Sequence, residues 1–294
     1  MAANYYGMTP VQFGNNVQGL LLLPKDYDKA KKYPCIFHYC GNGEVGTNLS
    51  LLLNTGFGRQ VALGKVAGTI AEQVINVIVQ SKQSGTASQP NDSNPPIDYM
   101  LANYSVDQSK DENGKYNSLL FAGLSQGASD VWTIASYDPA VTAYGTSKYA
   151  GKIKHVWPAS IPALFPSHGA YNRMTKTNVH FTHGTNDMQG CCAYWPVPDM
   201  VKALQNIGAT ASLFTVQGGG HDNGTWDIHW NPLAPDDRNM YVVALAYLNS
   251  GIATTAKFSY AKADGSMWYE DNGTVSNNVY KLSSGEIVVP IQVF

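Results

Sequence analysis

Residues 118–129, Ser-Leu-Leu-Phe-Ala-Gly-Leu-Ser-Gln-Gly-Ala-Ser, restrict what this chain can fold into more than any other stretch. Leu119 to Ala122 is a short apolar run of the kind that forms a buried strand. It leads directly into Gly123-Leu124-Ser125-Gln126-Gly127, a G-x-S-x-G pattern, and then into a helical stretch from about Gln126 to Ser136. A strand, a tight turn and a helix in that order hold a serine exposed on a strained turn. A Cβ at either glycine would crowd that turn. The helix N-terminus, with its unpaired N–H groups, faces the serine and favours negative charge beside it. Ser125 is therefore the candidate nucleophile.

The rest of the 294-residue chain alternates strands with helices. Strands are predicted over 11–23, 34–39, 74–80, 119–122, 153–157, 179–182 and 211–216. Helices are predicted over 97–105, 126–136, 196–207 and 236–248, the last with Asp236 or Asp237 as its cap. Such alternation implies a mostly parallel sheet with helices on both faces. Residues 82–96, rich in Ser, Gln, Asn and Pro, read as a long loop, and 162–172 as another. From Gly251 the composition shifts to Ser, Asn and Gly, with β-like runs at 257–260, 266–269, 278–281 and 286–293. The expected organisation is a catalytic domain over 1–250 and a small C-terminal β appendage or linker over 251–294.

A serine hydroxyl needs a base to take its proton, and the base needs an acid to hold its tautomer. In a sheet of this kind the three groups follow strand ends in the order Ser, Asp or Glu, His. Asp187 follows the 179–182 strand in His183-Gly184-Thr185-Asn186-Asp187, and His221 follows the 211–216 strand in Gly218-Gly219-Gly220-His221. Among the seven histidines, His38, His155 and His180 lie inside strands and read as structural. His183 shares the loop of Asp187 and shapes it, while His168 and His229 lack a strand-end position. Asp222, Asp227 and Asp199 are the alternative acids; Asp222 adjoins the histidine and is poorly aimed at its ring. The oxyanion of acyl transfer needs N–H donors. The backbone N–H of Gln126, directly after the serine, is one. Asn42, in the glycine loop Cys40-Gly41-Asn42-Gly43-Glu44-Val45-Gly46, supplies the other. That loop lacks the Lys-Ser/Thr of a phosphate-binding P-loop.

These segments together resemble the α/β-hydrolase superfamily. They are most similar to its esterase branch of feruloyl and acetyl-xylan esterases and polyhydroxyalkanoate depolymerases. Gly41-Asn42-Gly43-Glu44-Val45-Gly46, followed by Asn54-Thr55-Gly56-Phe57, is similar to that branch's H-G-x-G-E-x-G and N-G-L-P region, and the resemblance covers about 15–250. It implies an α/β-hydrolase fold and a metal-independent, secreted or periplasmic serine esterase with no cofactor, acting on polymer-linked or aromatic esters. One departure is that the family's histidine before the first loop glycine is Cys40 here. The four cysteines, Cys35, Cys40, Cys191 and Cys192, are too few for a disulfide scaffold. A bond from Cys40 to Cys191 or Cys192, or free thiols, are the two possibilities.

Tyr39, Phe57, Tyr194, Trp195 and Trp226 flank the predicted loops and are the expected aromatic walls of the cleft. Charged residues make up only 14% and the net charge is -2, which gives no electrostatic case for nucleic acid or an anionic membrane. No 18-residue apolar run is present, and Met1-Ala2-Ala3-Asn4 has no apolar core of a secretory leader. The expected partner is the ester substrate, met by a monomer. A serine peptidase of the same fold and a non-catalytic polymer-binding relict are the rival readings.

Overall fold

The computed structural model describes residues 4–83, 90–136, 147–162, 173–187, 192–234 and 239–248. In the C-terminal part it describes 254–261, 268–276, 279–281, 287–288 and 292–293. An eight-stranded sheet carries the chain from β1 (Thr9–Gln12), β2 (Val17–Leu22), β3 (Cys35–Tyr39) and β4 (Ile75–Ser81) to β5 (Tyr116–Leu124), β6 (Ile153–Ala159), β7 (Asn178–Gly184) and β8 (Thr210–Val216). Its order is β1-β2-β4-β3-β5-β6-β7-β8. β1 and β2 pair antiparallel, β2 pairs antiparallel with β4, and every pairing from β4 to β8 is parallel.

The central parallel strands β3, β4 and β5 are buried on both faces. Along β3, Cys35, Phe37 and Tyr39 face one core while Ile36 faces the other; along β5, Leu119 and Phe121 alternate with Leu120, Ala122 and Leu124. With side chains alternating at period two, a strand apolar at every position must have a layer on each side. On one face pack α2 (Pro90–Asn103), α3 (Gln126–Ser136) and α4 (Val197–Asn206), through Ile97, Met100, Val131, Ile134, Met200 and Leu204. On the other pack α1 (Gly56–Ala62), α5 (Asn223–His229) and α6 (Met240–Leu248), through Phe57, Val61, Trp226, Tyr241 and Ala244.

From β3 the chain moves to β4 on one side, then returns to β5 on the other. The carboxyl ends of β3 and β5 are thus where the winding reverses, and in open α/β sheets ligands bind at such a crevice. Tyr39 pairs with Gly123 in register. The glycine loop after β3 and the G-x-S-x-G turn after β5 therefore leave the sheet side by side.

Three expectations need correction. The predicted strand over 11–23 is a hairpin, β1 and β2, because Asn15-Asn16 supplies turn chemistry inside it. The predicted loop over 82–96 holds the start of α2, which contains Pro95 and Pro96. Proline lacks the N–H that continues a helix, but buried Ile97 and Met100 anchor this one against the core. α5 lies where no helix was predicted; its seven residues start directly after the cap, Asp222, whose carboxylate accepts from Gly224 N–H and Thr225 N–H.

The C-terminal β-like runs form a sheet of their own. β9 (Thr254–Ala261), β10 (Trp268–Ser276), β11 (Val279–Lys281), β12 (Ile287–Val288) and β13 (Gln292–Val293) lie in the order β12-β11-β10-β9-β13, all antiparallel. Within the expected run at 286–293, the described residues 287–288 and 292–293 are strands. Residues 163–172 of the predicted 162–172 loop, His168 among them, and the cap candidates Asp236 and Asp237 fall outside the described residues. Among the described residues, no helix is long and apolar enough to cross a membrane.

Several buried histidines make stability depend on pH. His38 donates from Nε2 to Asn76 Oδ1 (3.0 Å) and accepts at Nδ1 from the Trp230 indole (2.9 Å). His229 donates from Nε2 to the Trp157 carbonyl (3.1 Å) and accepts at Nδ1 from the Thr182 hydroxyl (2.8 Å). Burial pushes both down to about 3, the hydrogen bonds opposing it only in part. Burial also holds His155 well below the ordinary imidazole range. Histidines of the unfolded chain take up protons near pH 6.5, so these groups leave stability intact above that pH. Below it, each costs about 1.4 kcal/mol per pH unit until its folded-state value is reached. Glu44, raised by burial, works in the opposite sense as a single group. The expected result is a loss of unfolding free energy from pH 6.5 to 5 with a slope of about two to three protons. Urea titrations at pH 7.5, 6 and 5 would measure it, and a flat profile would contradict it.

Candidate functional site

The G-x-S-x-G turn is shaped by close backbone approach. A Cβ on Gly123 would lie 2.2 Å from the Gly127 carbonyl oxygen, and one on Gly127 would lie 2.2 Å from that of Tyr39. Both positions therefore require glycine, and Ser125 between them takes φ 52°, a left-handed conformation. A non-glycine residue held there is strained, and such strain gathers at functional sites. Ser125 N–H donates to the Ala159 carbonyl on β6 (2.9 Å), which ties the turn to the neighbouring strand. Gln126 begins α3 directly after it.

Ser125 Oγ lies 2.9 Å from His221 Nε2, and His221 Nδ1 lies 2.8 Å from Asp187 Oδ2. One tautomer satisfies both contacts: Nδ1–H donates to the carboxylate, and Nε2 accepts from the serine hydroxyl. Asp187 is fully buried, and His221 is largely so. The loops bearing them are laced together. Thr185 N–H donates to Val216 O, and Asn186 N–H to Gly219 O (2.8 Å). A Cβ on Gly184 would lie 2.2 Å from the Gly219 oxygen, so the two loops pack backbone against backbone.

The other candidate acids are engaged elsewhere. Asp222 caps α5. Asp227 receives Arg59 Nε at 3.2 Å and Gln60 Nε2 at 2.8 Å, joining α5 to α1. Asp199 pairs with Lys202 on the exposed surface of α4. His183, fully buried, donates from Nε2 to the Cys192 carbonyl (2.8 Å), with Asp187 Oδ2 at 3.5 Å. Burial lowers its pKa, with the carbonyl bond and Asp187 opposing. A neutral imidazole thus closes the acid loop on itself without adding a charge. His229, which lacks a strand-end position, lies buried on α5.

Asn42 opens a short helical turn, Asn42–Glu44, and is exposed beyond β3. Glu44 is buried below it. Burial raises its carboxyl above the usual range, while hydrogen bonding at the Gly41 backbone and the Thr55 hydroxyl pulls it back. Its carbonyl accepts from Gln80 Nε2, so the glycine loop is fastened to β4. The register of Tyr39 with Gly123 places Asn42 and Gln126 at equal distance along neighbouring strands from one paired position.

The five aromatic residues do not form one wall. Tyr39 is 1% exposed and stacks near Phe121 in the core on the α3 side. Phe57, equally buried, lies on the opposite face of the sheet, its ring flat against His38 at 4.5 Å. Both are corrected to core residues: the positions beside the glycine loop point into the two layers, not along the sheet edge. Tyr194 is half-buried, its hydroxyl at 3.0 Å from Thr215 Oγ1 and its ring edge-on to His183, so it braces the acid loop. Trp226 is 9% exposed and stands edge-to-face with the His221 ring. Trp195 is 74% exposed.

Cys40 carries a free thiol, so a Cys40–Cys192 disulfide is not formed; Cys191 lies outside the described residues. Burial, then the nearby Glu44 and Asp130 charges, push the Cys40 thiol well above the ordinary range, leaving it un-ionised at neutral pH. Among the described residues no group of three or more His, Cys, Asp or Glu side chains is placed to hold a metal ion.

No protein-family model and no curated protein matches this sequence. Solved structures do match the fold. A thermostable esterase aligns with a TM-score of 0.56 at 18% identity, over 76% of this chain and 59% of that one. Thermogutta terrifontis esterase 2 phosphoramylated by tabun aligns at 0.54 and 12% identity, over 74% of this chain and 86% of that one. Propionate-bound Est2 from the same species aligns at 0.56 and 11%, over 74% and 86%. The chain thus spans under two thirds of the thermostable esterase and most of the Thermogutta enzyme. At these identities the likeness establishes the fold, that of the α/β-hydrolases.

Proposed function

We propose that this chain is a serine ester hydrolase with Ser125 as nucleophile, His221 as general base and Asp187 as the acid that orients it. The observation that carries the reading is the unbroken hydrogen-bond chain Ser125–His221–Asp187, ending on a serine in a left-handed turn where the sheet winding reverses. Ser125 Oγ bonds to the ester carbonyl carbon as its proton passes to His221 Nε2. The oxyanion that forms accepts from the N–H groups of Gln126 and Asn42, beside the positive end of α3. Removing one such donor costs about 3–4 kcal/mol of transition-state stabilisation. Collapse of the tetrahedral adduct breaks the bond to the alcohol, which leaves with the proton from Nε2. Water then adds to the acyl-enzyme, giving a proton to His221, and the acid departs as the proton returns to Ser125 Oγ. Asp187, hydrogen-bonded to Nδ1, orients the ring and offsets the imidazolium charge.

The named neighbours support this reading, since one is a propionate complex and another is an esterase phosphoramylated by tabun. The test is turnover of p-nitrophenyl acetate and butyrate by the purified chain, together with inactivation by paraoxon and the mass of the Ser125 peptide. A chain that neither turns over the esters nor gains a phosphoryl group on Ser125 is not this enzyme.

The finer assignment is an acyl or alcohol part that is aromatic or attached to a polymer, acted on outside the cytoplasm. Trp195 supports it: a large ring exposed directly after the acid loop offers stacking surface to a sugar or hydroxycinnamoyl group. Trp195→Ala is expected to raise KM several-fold, on the order of 1 kcal/mol of binding, for methyl ferulate or a feruloylated oligosaccharide. KM for p-nitrophenyl acetate should stay unchanged. Equal effects on both substrates would remove the aromatic preference.

A further inference from the structure

Among the described residues, four non-glycine residues have left-handed backbone: Tyr6, Ser125, Ser160 and Lys176. Tyr6 and Lys176 are exposed, and Ser125 is the turn already described. Ser160 is fully buried, with φ 48°, a conformation glycine would adopt without strain. It stands at the carboxyl end of β6. Its N–H donates to the Thr182 carbonyl on β7 (2.9 Å), and the carbonyl one residue before it receives the N–H of Ser125. The strained residue is therefore bonded directly to the acid's strand and sits one residue from a backbone contact of the nucleophile.

Its hydroxyl accepts a hydrogen bond from the Trp226 indole N–H (3.1 Å) in a buried setting. The Trp226 ring stands 5.1 Å from that of His221 at 84°, an edge-to-face contact. α5, which carries Trp226, is held from both sides. Asp222, adjacent to His221, caps its start, and Thr225 Oγ1 donates to the Gly220 carbonyl (2.7 Å). Asp227 is clamped by Arg59 and Gln60 of α1. The indole thus has a fixed backbone and a fixed N–H, and its ring is the surface against which the imidazole rests.

We infer that Ser160 and Trp226 form a positioning pair for His221, the Ser160 hydroxyl setting the indole and the indole setting the imidazole tilt that keeps Nε2 on Ser125 Oγ. The inference rests on the ester-hydrolase reading above. A base displaced by a fraction of an ångström reduces the rate of proton transfer while leaving substrate contacts alone. Trp226→Phe keeps a ring beside His221 and removes the N–H. Ser160→Ala removes the hydroxyl, and Ser160→Gly removes it while relieving the backbone.

The experiment measures kcat and KM on p-nitrophenyl butyrate, with thermal midpoints, for these variants and the Trp226→Phe/Ser160→Ala double. The expected result is a fall in kcat of about 10-fold in each single variant with KM within about twofold. The double variant should be no slower than the slower single one, because both changes break the same bond. Ser160→Gly should lose kcat as Ser160→Ala does although it is the more stable of the two. Unchanged kcat in Trp226→Phe and Ser160→Gly, multiplying losses in the double variant, or kcat that simply tracks the thermal midpoint would each overturn the pairing. The low-field proton resonance of His221 Nδ1–H separates this inference from the one it rests on. If wild type turns over no ester, the hydrolase reading falls. A resonance sharp in wild type and broadened in both single variants still supports the pairing, and one unchanged in them refutes it.

Discussion

Ser125→Ala is expected to lower kcat for p-nitrophenyl esters by about 10⁶-fold and to abolish phosphorylation by paraoxon. Among the described residues, Ser125 is the hydroxyl that meets the base: His221 Nε2 is 2.9 Å from Ser125 Oγ, and its other nitrogen is committed to Asp187. Alanine keeps a Cβ, so the left-handed strain at φ 52° stays in the variant. Ser125→Gly removes nucleophile and strain together. It should be as inactive as the alanine variant yet more stable than it by about 1 kcal/mol, read from thermal or urea unfolding. A catalytic serine predicts this pairing of lost activity with gained stability. Retained turnover in either variant would end the assignment.

Asp187→Asn should cost about 10⁴-fold in kcat with the fold intact. The substitution is nearly isosteric, but the amide that replaces Oδ2 can present an N–H to His221 Nδ1. The imidazole would then carry its proton on Nε2 and could not accept from Ser125. His183 offers no rescue, because its Nε2–H is directed at the Cys192 carbonyl. Asp187→Ala leaves His221 without a tautomer lock and should lose kcat by about 10⁴-fold as well. kcat/KM measured from pH 6 to 10 for wild type and both variants checks this. A loss below 10-fold in Asp187→Asn would show that the carboxylate does not set the tautomer.

Much of the frame was legible from residue order. The strand–turn–helix at 119–136 and the strand-end positions of Asp187 and His221 are local features, written in apolar runs and glycines whose backbone must approach another chain segment. Gly123, Gly127 and Gly184 are such glycines, each with a carbonyl 2.2 Å from where a Cβ would sit. The second helical layer was harder to read. α5 is short and polar at its start, and its cap, Asp222, looked from sequence like a rival acid beside the histidine. α2 contains the two prolines that made its first half look like a loop.

The aromatic residues show where local reading stops. Tyr39 and Phe57 flank the glycine loop in sequence, yet one packs under α3 and the other against His38 on the far face. Trp226 follows His221 by five residues, and its bond to Ser160 comes from a strand 66 residues away. Nothing near Ser160 in the chain marks it: its left-handed backbone follows the Ala159 carbonyl that receives Ser125 N–H, and its own N–H bonds Thr182 on β7, both partners far away in sequence.

From the sequence alone came the α/β alternation, the position of the serine turn and the order of the three polar residues, because turn sterics and strand periodicity act over a few neighbours. The tertiary structure alone decided which carboxylate meets His221, which aromatic rings are core, and that Cys40 is unpaired and Ser160 strained. Those outcomes depend on distances between segments far apart in the chain, set by sheet order and by which face of each strand a layer covers.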